Sequence, residues 1–365
     1  MKTGHIPARR GSRRAAPDGA RAPGYTLAMV AIVLVFACGQ GVSSAPAADD
    51  HALTLRLGYF PNLTHAPALA GLKKDFFANA LGSTVKIETH TFNAGGDAVT
   101  AILSNSIDAT FVGPSPTTNA FVQSHGQAVR VVAGATSGGA LLVVKPSITS
   151  VQGLKGKKIA DPQLGATQDV ALRWFLKSNG LATDTAGGGA VSVLPQDNSL
   201  TLTAFRQGQI DGAWVPEPWA SRLVIEGGGK VLADERDLWP QGKFVTTNLV
   251  VRTDFLQAHP KRIAALLEGL YQSVAYLNAN AEGAQSLTND AVGEITGKKL
   301  AAGVVSAAWP HLAFTLDPLP ATLKASADHA HAVGLLASVD LNGIYDLRLL
   351  NQVLATHNQT AVQGL

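Results

Sequence analysis

Cysteine is nearly missing: Cys38 is the only one in 365 residues. No internal disulfide can form, and no cysteine pair is available to hold a metal. Charge is scarce as well, with 15% Asp, Glu, Lys and Arg against 46% apolar residues. That balance excludes a disordered chain and suits a globular one with a large core. The body also lacks positive charge. Lys2, Arg9, Arg10, Arg13, Arg14 and Arg21 against Asp18 put +5 ahead of the first apolar run, and the whole chain is +3, leaving a net of −2 for the rest. Such a body has no basic footprint for DNA or RNA, and no nucleic-acid partner is expected. Catalytic patterning is absent too. The 10 histidines are scattered, no serine, histidine and acid make a recognisable nucleophile set, and no catalytic residue or cofactor is assigned. Asp328-His329-Ala330-His331 is the nearest thing to a metal motif. On a helix those two histidines point roughly 200° apart, so a solvated helix face is expected there and no metal site.

What is present begins with an export signal. The run Leu27-Ala-Met-Val-Ala-Ile-Val-Leu-Val-Phe-Ala37 is too short to span a bilayer comfortably and fits a signal h-region behind its basic stretch. Val35-Phe36-Ala37-Cys38-Gly39 resembles the lipobox of bacterial lipoproteins, whose cysteine is acylated after cleavage. Phe36 is unusual at its position, and ordinary cleavage near Ala47-Ala48 is the alternative. Ser12-Arg13-Arg14 hints at twin-arginine export, but Ala15-Ala16-Pro17 lacks the apolar residues that route expects, which favours the general secretory pathway. We therefore expect a signal peptide over residues 1–37 and a small, polar tether over 38–52. The protein is expected to be exported, either anchored to the cell membrane through a lipid on Cys38 and facing outside, or periplasmic.

The remaining length exceeds the usual single domain, so two lobes are expected. Strands and helices alternate. Leu53–Tyr59, Val85–Phe92, Ala109–Val112, Val129–Ala133 and Lys157–Asp161 read as strands. Helical runs carry Leu69, Leu72 and Phe76, then Val99, Ile102 and Leu103. From Pro260 the pattern is helical, with later helices around 318–337 and 346–357. This alternation predicts an α/β chain with mostly parallel sheets and ligand contacts at the carboxyl ends of the strands. One internal similarity stands out. Ile107-Asp-Ala-Thr-Phe-Val112 and Ile210-Asp-Gly-Ala-Trp-Val215 share an order, each follows a helix-like run, and prolines follow each. They predict two related half-units sending a strand toward one cleft. Ala140–Val144 and Thr246–Val251 are expected to be the two crossings between lobes. The boundaries follow as 53–139 with 249–365 for one lobe and 140–248 for the other.

The turns after those strands are the candidate site. Asp161-Pro-Gln-Leu-Gly165-Ala-Thr167-Gln168-Asp169 reads as strand, glycine turn and helix. A helix start offers unpaired N–H groups and the positive end of the dipole, which suit an anion. Thr167 either caps that helix or donates to a ligand, and Asp169 adds negative charge that counts against a bare anion site. Tyr59-Phe60-Pro61-Asn62 follows the first strand, with His65 just beyond. Gly113-Pro114-Ser115-Pro116-Thr117 follows the third, where the hydroxyls either cap or bind. Ser137-Gly138-Gly139 sits beside the first crossing. Trp214-Val-Pro-Glu217-Pro-Trp219 is a rigid loop with two aromatic faces and one charge. Trp214 is more often core than contact, and Trp219 is open between the two.

Leu57-Gly-Tyr-Phe-Pro-Asn-Leu-Thr-His65, Gly113-Pro-Ser-Pro116, Leu154-Lys-Gly-Lys-Lys-Ile-Ala160, Gly165-Ala-Thr-Gln-Asp169 and Trp214-Val-Pro-Glu-Pro-Trp219 together resemble the solute-binding proteins of nitrate, sulfonate and taurine ABC importers. The resemblance implies a two-lobed periplasmic-binding-protein fold of type II, a monomer that closes on a small anionic solute and docks on a permease with its ATPase. In the sulfonate binders hydroxyls and N–H groups at helix starts hold the anion, which here implies Ser115, Thr117, Ser137, Gly138, Thr167 and Gln168. With no arginine or lysine in the cleft turns, an organosulfonate or taurine-like solute is expected before nitrate. Some proteins of this fold handle pyrimidine precursors of thiamine, as receptors or enzymes, and the aromatic pair with Glu217 keeps that alternative open.

Overall fold

The computed structural model describes residues 52–365. The expected signal segment, tether and Cys38 lie outside the described residues, with only Ala52 of the tether inside. Among the described residues eleven strands form two sheets. They are β1 (Leu53–Tyr59), β2 (Val85–Thr91), β3 (Ala109–Val112), β4 (Val129–Gly138), β5 (Ala140–Val144), β6 (Lys158–Asp161), β7 (Ser192–Pro195), β8 (Gly212–Pro216), β9 (Lys230–Asp234), β10 (Val245–Arg252) and β11 (Leu312–Phe314). The first sheet runs β11-β4-β10-β3-β1-β2 and the second β7-β6-β8-β5-β9. In the first, β1 lies parallel to β2 and β3; in the second, β6 lies parallel to β7 and β8. In the first sheet β10 runs against β3 and β4, and β11 against β4 at the edge; in the second β5 runs against β8 and β9.

β5 and β10 correct one expectation. Ala140–Val144 and Thr246–Val251 do not cross between sheets but lie inside them, as all of β5 and most of β10. An apolar run such as Ala-Leu-Leu-Val-Val is fully buried in β5, as suits a strand covered on both faces. The chain passes between sheets at Gly138-Gly139 and again over residues 235–244. Both glycines sit at φ +78, in the left-handed region that β-carbons resist, and a side chain on Gly139 would collide with Leu312.

Helices cover both sheets. The helix Pro260–Ala279 turns Ile263, Leu266, Leu267 and Leu270 toward one face of the first sheet, against Leu55, Leu57 and Phe77. The opposite face packs Ile102, Ile107, Val131 and Leu323. The second sheet buries Leu142, Ile159, Leu176 and Trp214 on one side and Leu141, Val143, Phe205 and Val215 on the other. The expected helix through Leu69, Leu72 and Phe76 is broken: Ala66–Lys73 and Phe76–Leu81 are separate, with Asp75 at φ 56 between them.

The Ile-Asp repeat is a structural repeat. Asp108 N–H donates to Arg56 O (2.9 Å) and its Oδ2 accepts the Arg56 N–H (2.9 Å). Asp211 N–H donates to Lys158 O (2.7 Å) and its Oδ2 accepts the Lys158 N–H (2.9 Å). Each aspartate thus clamps the strand it leads into, β3 or β8, onto its parallel neighbour, β1 or β6. Ile107 and Ile210 are buried behind the clamps.

Candidate functional site

The carboxyl ends of the parallel strands from both sheets surround one cavity of about 40 Å³. That is roughly three times what a single water requires. Phe60, Asn62, Thr64 and His65 follow β1; Asn93, Ala94 and Gly95 follow β2; Gly113 and Pro116 follow β3. From the second sheet come Pro162, Ala166, Thr167 and Gln168 after β6, Asn198 after β7 and Pro216 at the end of β8, while Thr246 and Thr247 open β10. This is the position where ligands bind in open α/β sheets.

Four helices start at the cavity: Gly95–Leu103, Pro114–Gln123, Thr167–Ser178 and Asn198–Arg206. Three have no cap from their own N-cap residue, but Gln163 Oε1 takes the Gly96 N–H of the first, so the starts at Pro114 and Thr167 keep N–H groups and dipole ends available to a bound anion. Pro114 and Pro116 have no N–H, which leaves Ser115 as the donor of that first turn. Close approach of the starts depends on glycine. A β-carbon on Gly95 would strike Pro116, and one on Gly113 would strike Thr167 Oγ1 from the second sheet. The two sides already touch here. Gly96 N–H donates to Gln163 Oε1 (2.8 Å), Asn93 Nδ2 to Asp197 Oδ2 (2.9 Å) and Trp219 Nε1 to Asn62 Oδ1 (3.0 Å).

The lining contains no lysine or arginine. His65 adds no charge either, because burial pushes its pKa down to about 3. Its Nδ1 accepts the Phe60 N–H (3.3 Å) and its ring stacks on Phe60, so the neutral imidazole carries its proton on Nε2 as a donor. The negative charge of Asp169 is turned away. Its carboxylate takes Arg173 Nε (2.6 Å) and the Gly165 N–H (2.8 Å), all beneath the loop. Beside it, burial and then the Asp169 charge raise Asp161 to about 8. The objection that Asp169 repels an anion therefore loses its force.

Of the residues read from the sequence, Phe60, Asn62, His65, Gly113, Thr167 and Gln168 line the cavity together. Thr167 is not a cap, since Ala166 holds that position and Thr167 is the first residue inside the helix. The others sit elsewhere. Tyr59 belongs to the core of the first sheet. Ser115 Oγ meets Ser326 Oγ (3.2 Å) and Thr117 Oγ1 donates back to Gly113 O (2.7 Å). Ser137 Oγ accepts the Phe244 N–H, Gly138 O accepts Thr246 Oγ1, and Gly165 shapes the loop at φ 76. Trp214 is fully buried with its Nε1 on Glu235 Oε2 (2.8 Å). Glu217 is also fully buried, taking the Ser221 N–H and Oγ and facing His311 Nδ1 (2.7 Å). Trp219 is half-buried beside the cavity, under Arg222. His329 corrects another expectation. It is not on a solvated face but stacks on Trp174, centroids 4.4 Å apart, with Trp239 at 5.5 Å.

Sequence reasoning missed Thr64, Asn93, Asn198, Thr246 and Thr247. The available signal was polarity in the wrong place, Thr246-Thr247-Asn248 interrupting an apolar strand that is buried throughout those positions.

Comparison with known proteins agrees with this fold. The taurine-binding periplasmic protein of Escherichia coli (strain K12) is 31% identical over 200 residues, 54% of this chain and 59% of that protein. A Bacillus subtilis (strain 168) protein named for binding aliphatic sulfonates is 23% identical over 340 residues, 91% of this chain and 97% of that protein. The alkanesulfonate-binding protein SsuA of Xanthomonas axonopodis pv. citri, solved with MOPS, shares the fold with a TM-score of 0.66 at 22% identity, over 78% of this chain and 95% of that one. The architecture is the two-lobed periplasmic-binding-protein fold. The profile of the NMT1-like family matches residues 49–289, and the chain belongs to that family.

Proposed function

We propose that this protein is the extracytoplasmic solute-binding component of an ABC importer, capturing a compact organosulfonate or taurine-like anion for a permease and its ATPase. The observation that carries the reading is the cavity itself: the uncapped helix starts at Pro114 and Thr167 and neutral donors, with no lysine or arginine in its lining. A sulfonate stays ionised at any physiological pH and offers three oxygens, which matches several directional N–H and O–H donors in place of a point charge. The names of the two relatives, both binding proteins, support it.

Several finer points belong to the same proposal. Because β10 lies whole in the first sheet, the lobe boundary expected at 248/249 moves to the passage before it: residues 53–138 with 245–365 form one lobe and 139–244 the other, and the passages at Gly138-Gly139 and 235–244 are the hinge on which they close. The ligand set begins with Thr167, Gln168, Asn62 and His65. Cys38 carries the lipid anchor, the protein acts as a monomer, and it performs no catalysis.

Thermal shift of the mature protein against taurine, ethanesulfonate, nitrate and a thiamine pyrimidine precursor tests this. A ligand at a hundred times its Kd stabilises the fold by about 2.7 kcal/mol, so the sulfonates should raise Tm clearly. Stabilisation by nitrate or by the pyrimidine alone would overturn the assignment of the solute.

A further inference from the structure

The cavity has two chemically different ends. Around Gly113 and Ala166 it presents donors. Around Asn198 it has one unpaired acceptor. Asn198 is 4% exposed, lines the cavity and begins the helix Asn198–Arg206. Its Oδ1 is buried and takes no hydrogen bond from any described residue. Asp197 lies behind it, outside the lining, with Oδ1 on the Ser199 N–H (2.8 Å) and Oδ2 on Asn93 Nδ2 (2.9 Å). Three other polar side chains of the wall have protein partners. Asn62 Oδ1 holds Trp219, Thr247 Oγ1 donates to Thr64 O and Thr246 Oγ1 to Gly138 O.

An oxyanion by itself would answer the helix starts and leave the Asn198 carbonyl buried and unpaired, a costly arrangement. A solute that also carries an N–H or O–H group would satisfy both ends. We infer that Asn198 is a specificity-determining residue that selects organosulfonates bearing a hydrogen-bond donor near the anionic head, amino- or hydroxyalkanesulfonates, over unsubstituted alkanesulfonates. The inference rests on the solute-binding reading above. Asp197 gives that end negative charge, which favours an ammonium over a hydroxyl.

Isothermal titration with taurine, 2-hydroxyethanesulfonate and ethanesulfonate separates the possibilities, because the three share one head and spacer. The native protein should prefer the two donor-bearing solutes by about tenfold to a hundredfold, taurine most. In Asn198→Leu the taurine-to-ethanesulfonate ratio should collapse toward one. In Asn198→Asp, which keeps an acceptor and adds charge, the ratio should hold or rise, so a folding defect is not mistaken for lost selectivity. A native ratio near one, or a ratio unchanged in Asn198→Leu, overturns the role of Asn198 while the sulfonate reading stands. Binding of none of the three overturns both.

Discussion

The two Ile-Asp elements start alike and end differently. Asp108 and Asp211 make the same pair of backbone bonds to the parallel strand beside them. Asp108, though, is buried and also holds Arg56 Nη2 (2.6 Å), with Arg252 Nη2 at 3.6 Å, whereas Asp211 is half-exposed and has no guanidinium partner among the described residues. Beyond the strands the contrast sharpens. After β3 the chain enters Pro114–Gln123, whose start is uncapped and opens on the cavity. After β8 it enters Trp219–Ile225, whose first turn is filled by the chain's own carboxylate, Glu217 bonding Ser221 N–H (3.0 Å) and Oγ (2.9 Å). An internal anion sits where an external one would bind. The same local element therefore builds a ligand-ready helix start in one lobe and a self-capped one in the other.

The largest expected effect tests the clamps. Asp108→Ala removes the shared partner of two arginines and should cost about 3 kcal/mol of stability, the lower end for a broken buried pair because Arg56 is a third exposed. Asp211→Ala removes chiefly one hydrogen bond and should cost about 1 kcal/mol. Urea denaturation of both variants reads the difference, and equal losses would mean that the arginines add nothing to the backbone clamp.

The helix starts come next. Thr167→Ala should weaken sulfonate binding about tenfold, the loss of one hydrogen bond to a charged group, while Tm barely moves because Thr167 caps nothing. Glu217→Ala should do the reverse, removing a cap worth about 1 kcal/mol and leaving affinity nearly as it was. Ser115→Ala should resemble Glu217→Ala, since its hydroxyl faces Ser326. If Glu217→Ala lowers affinity more than Thr167→Ala does, the contrast between the two starts is wrong.

With pH, the lobes should differ in sign. Asp161 is raised to about 8 and Glu235 to about 7, both mainly by burial. Folded protein therefore keeps protons that unfolded chain has released, and stability falls as pH rises from about 4 toward 8. His65, held near 3, works the other way: the unfolded chain gains the proton first, and stability is lost as pH falls below about 6.5. Melting curves from pH 4 to 9 should be flattened on the alkaline side by Asp161→Asn and on the acid side by His65→Gln. A profile that neither substitution changes would assign the dependence to other groups.

The sequence by itself determined β1, β3, the helix from Pro260, the Ile-Asp repeat and the turns after β1, β3 and β6. Each depends on local periodicity, glycine turns or a motif carried by consecutive residues, and needs no knowledge of what packs against it. Only the tertiary structure decided which way the ends of those elements face. β5 and β10 look like connectors in sequence because an apolar run does not say which neighbours it pairs with. Once they enter the sheets antiparallel, Trp214 is directed into the core of the second sheet, Glu217 folds back on its own helix and His329 meets Trp174 across the lobes. Asn198 and Thr247 join Thr167 at one cavity from positions far apart in the chain, and that meeting is set by strand order. Residue type and spacing along a chain carry no such information, since partners that meet only through sheet order have no fixed separation in sequence.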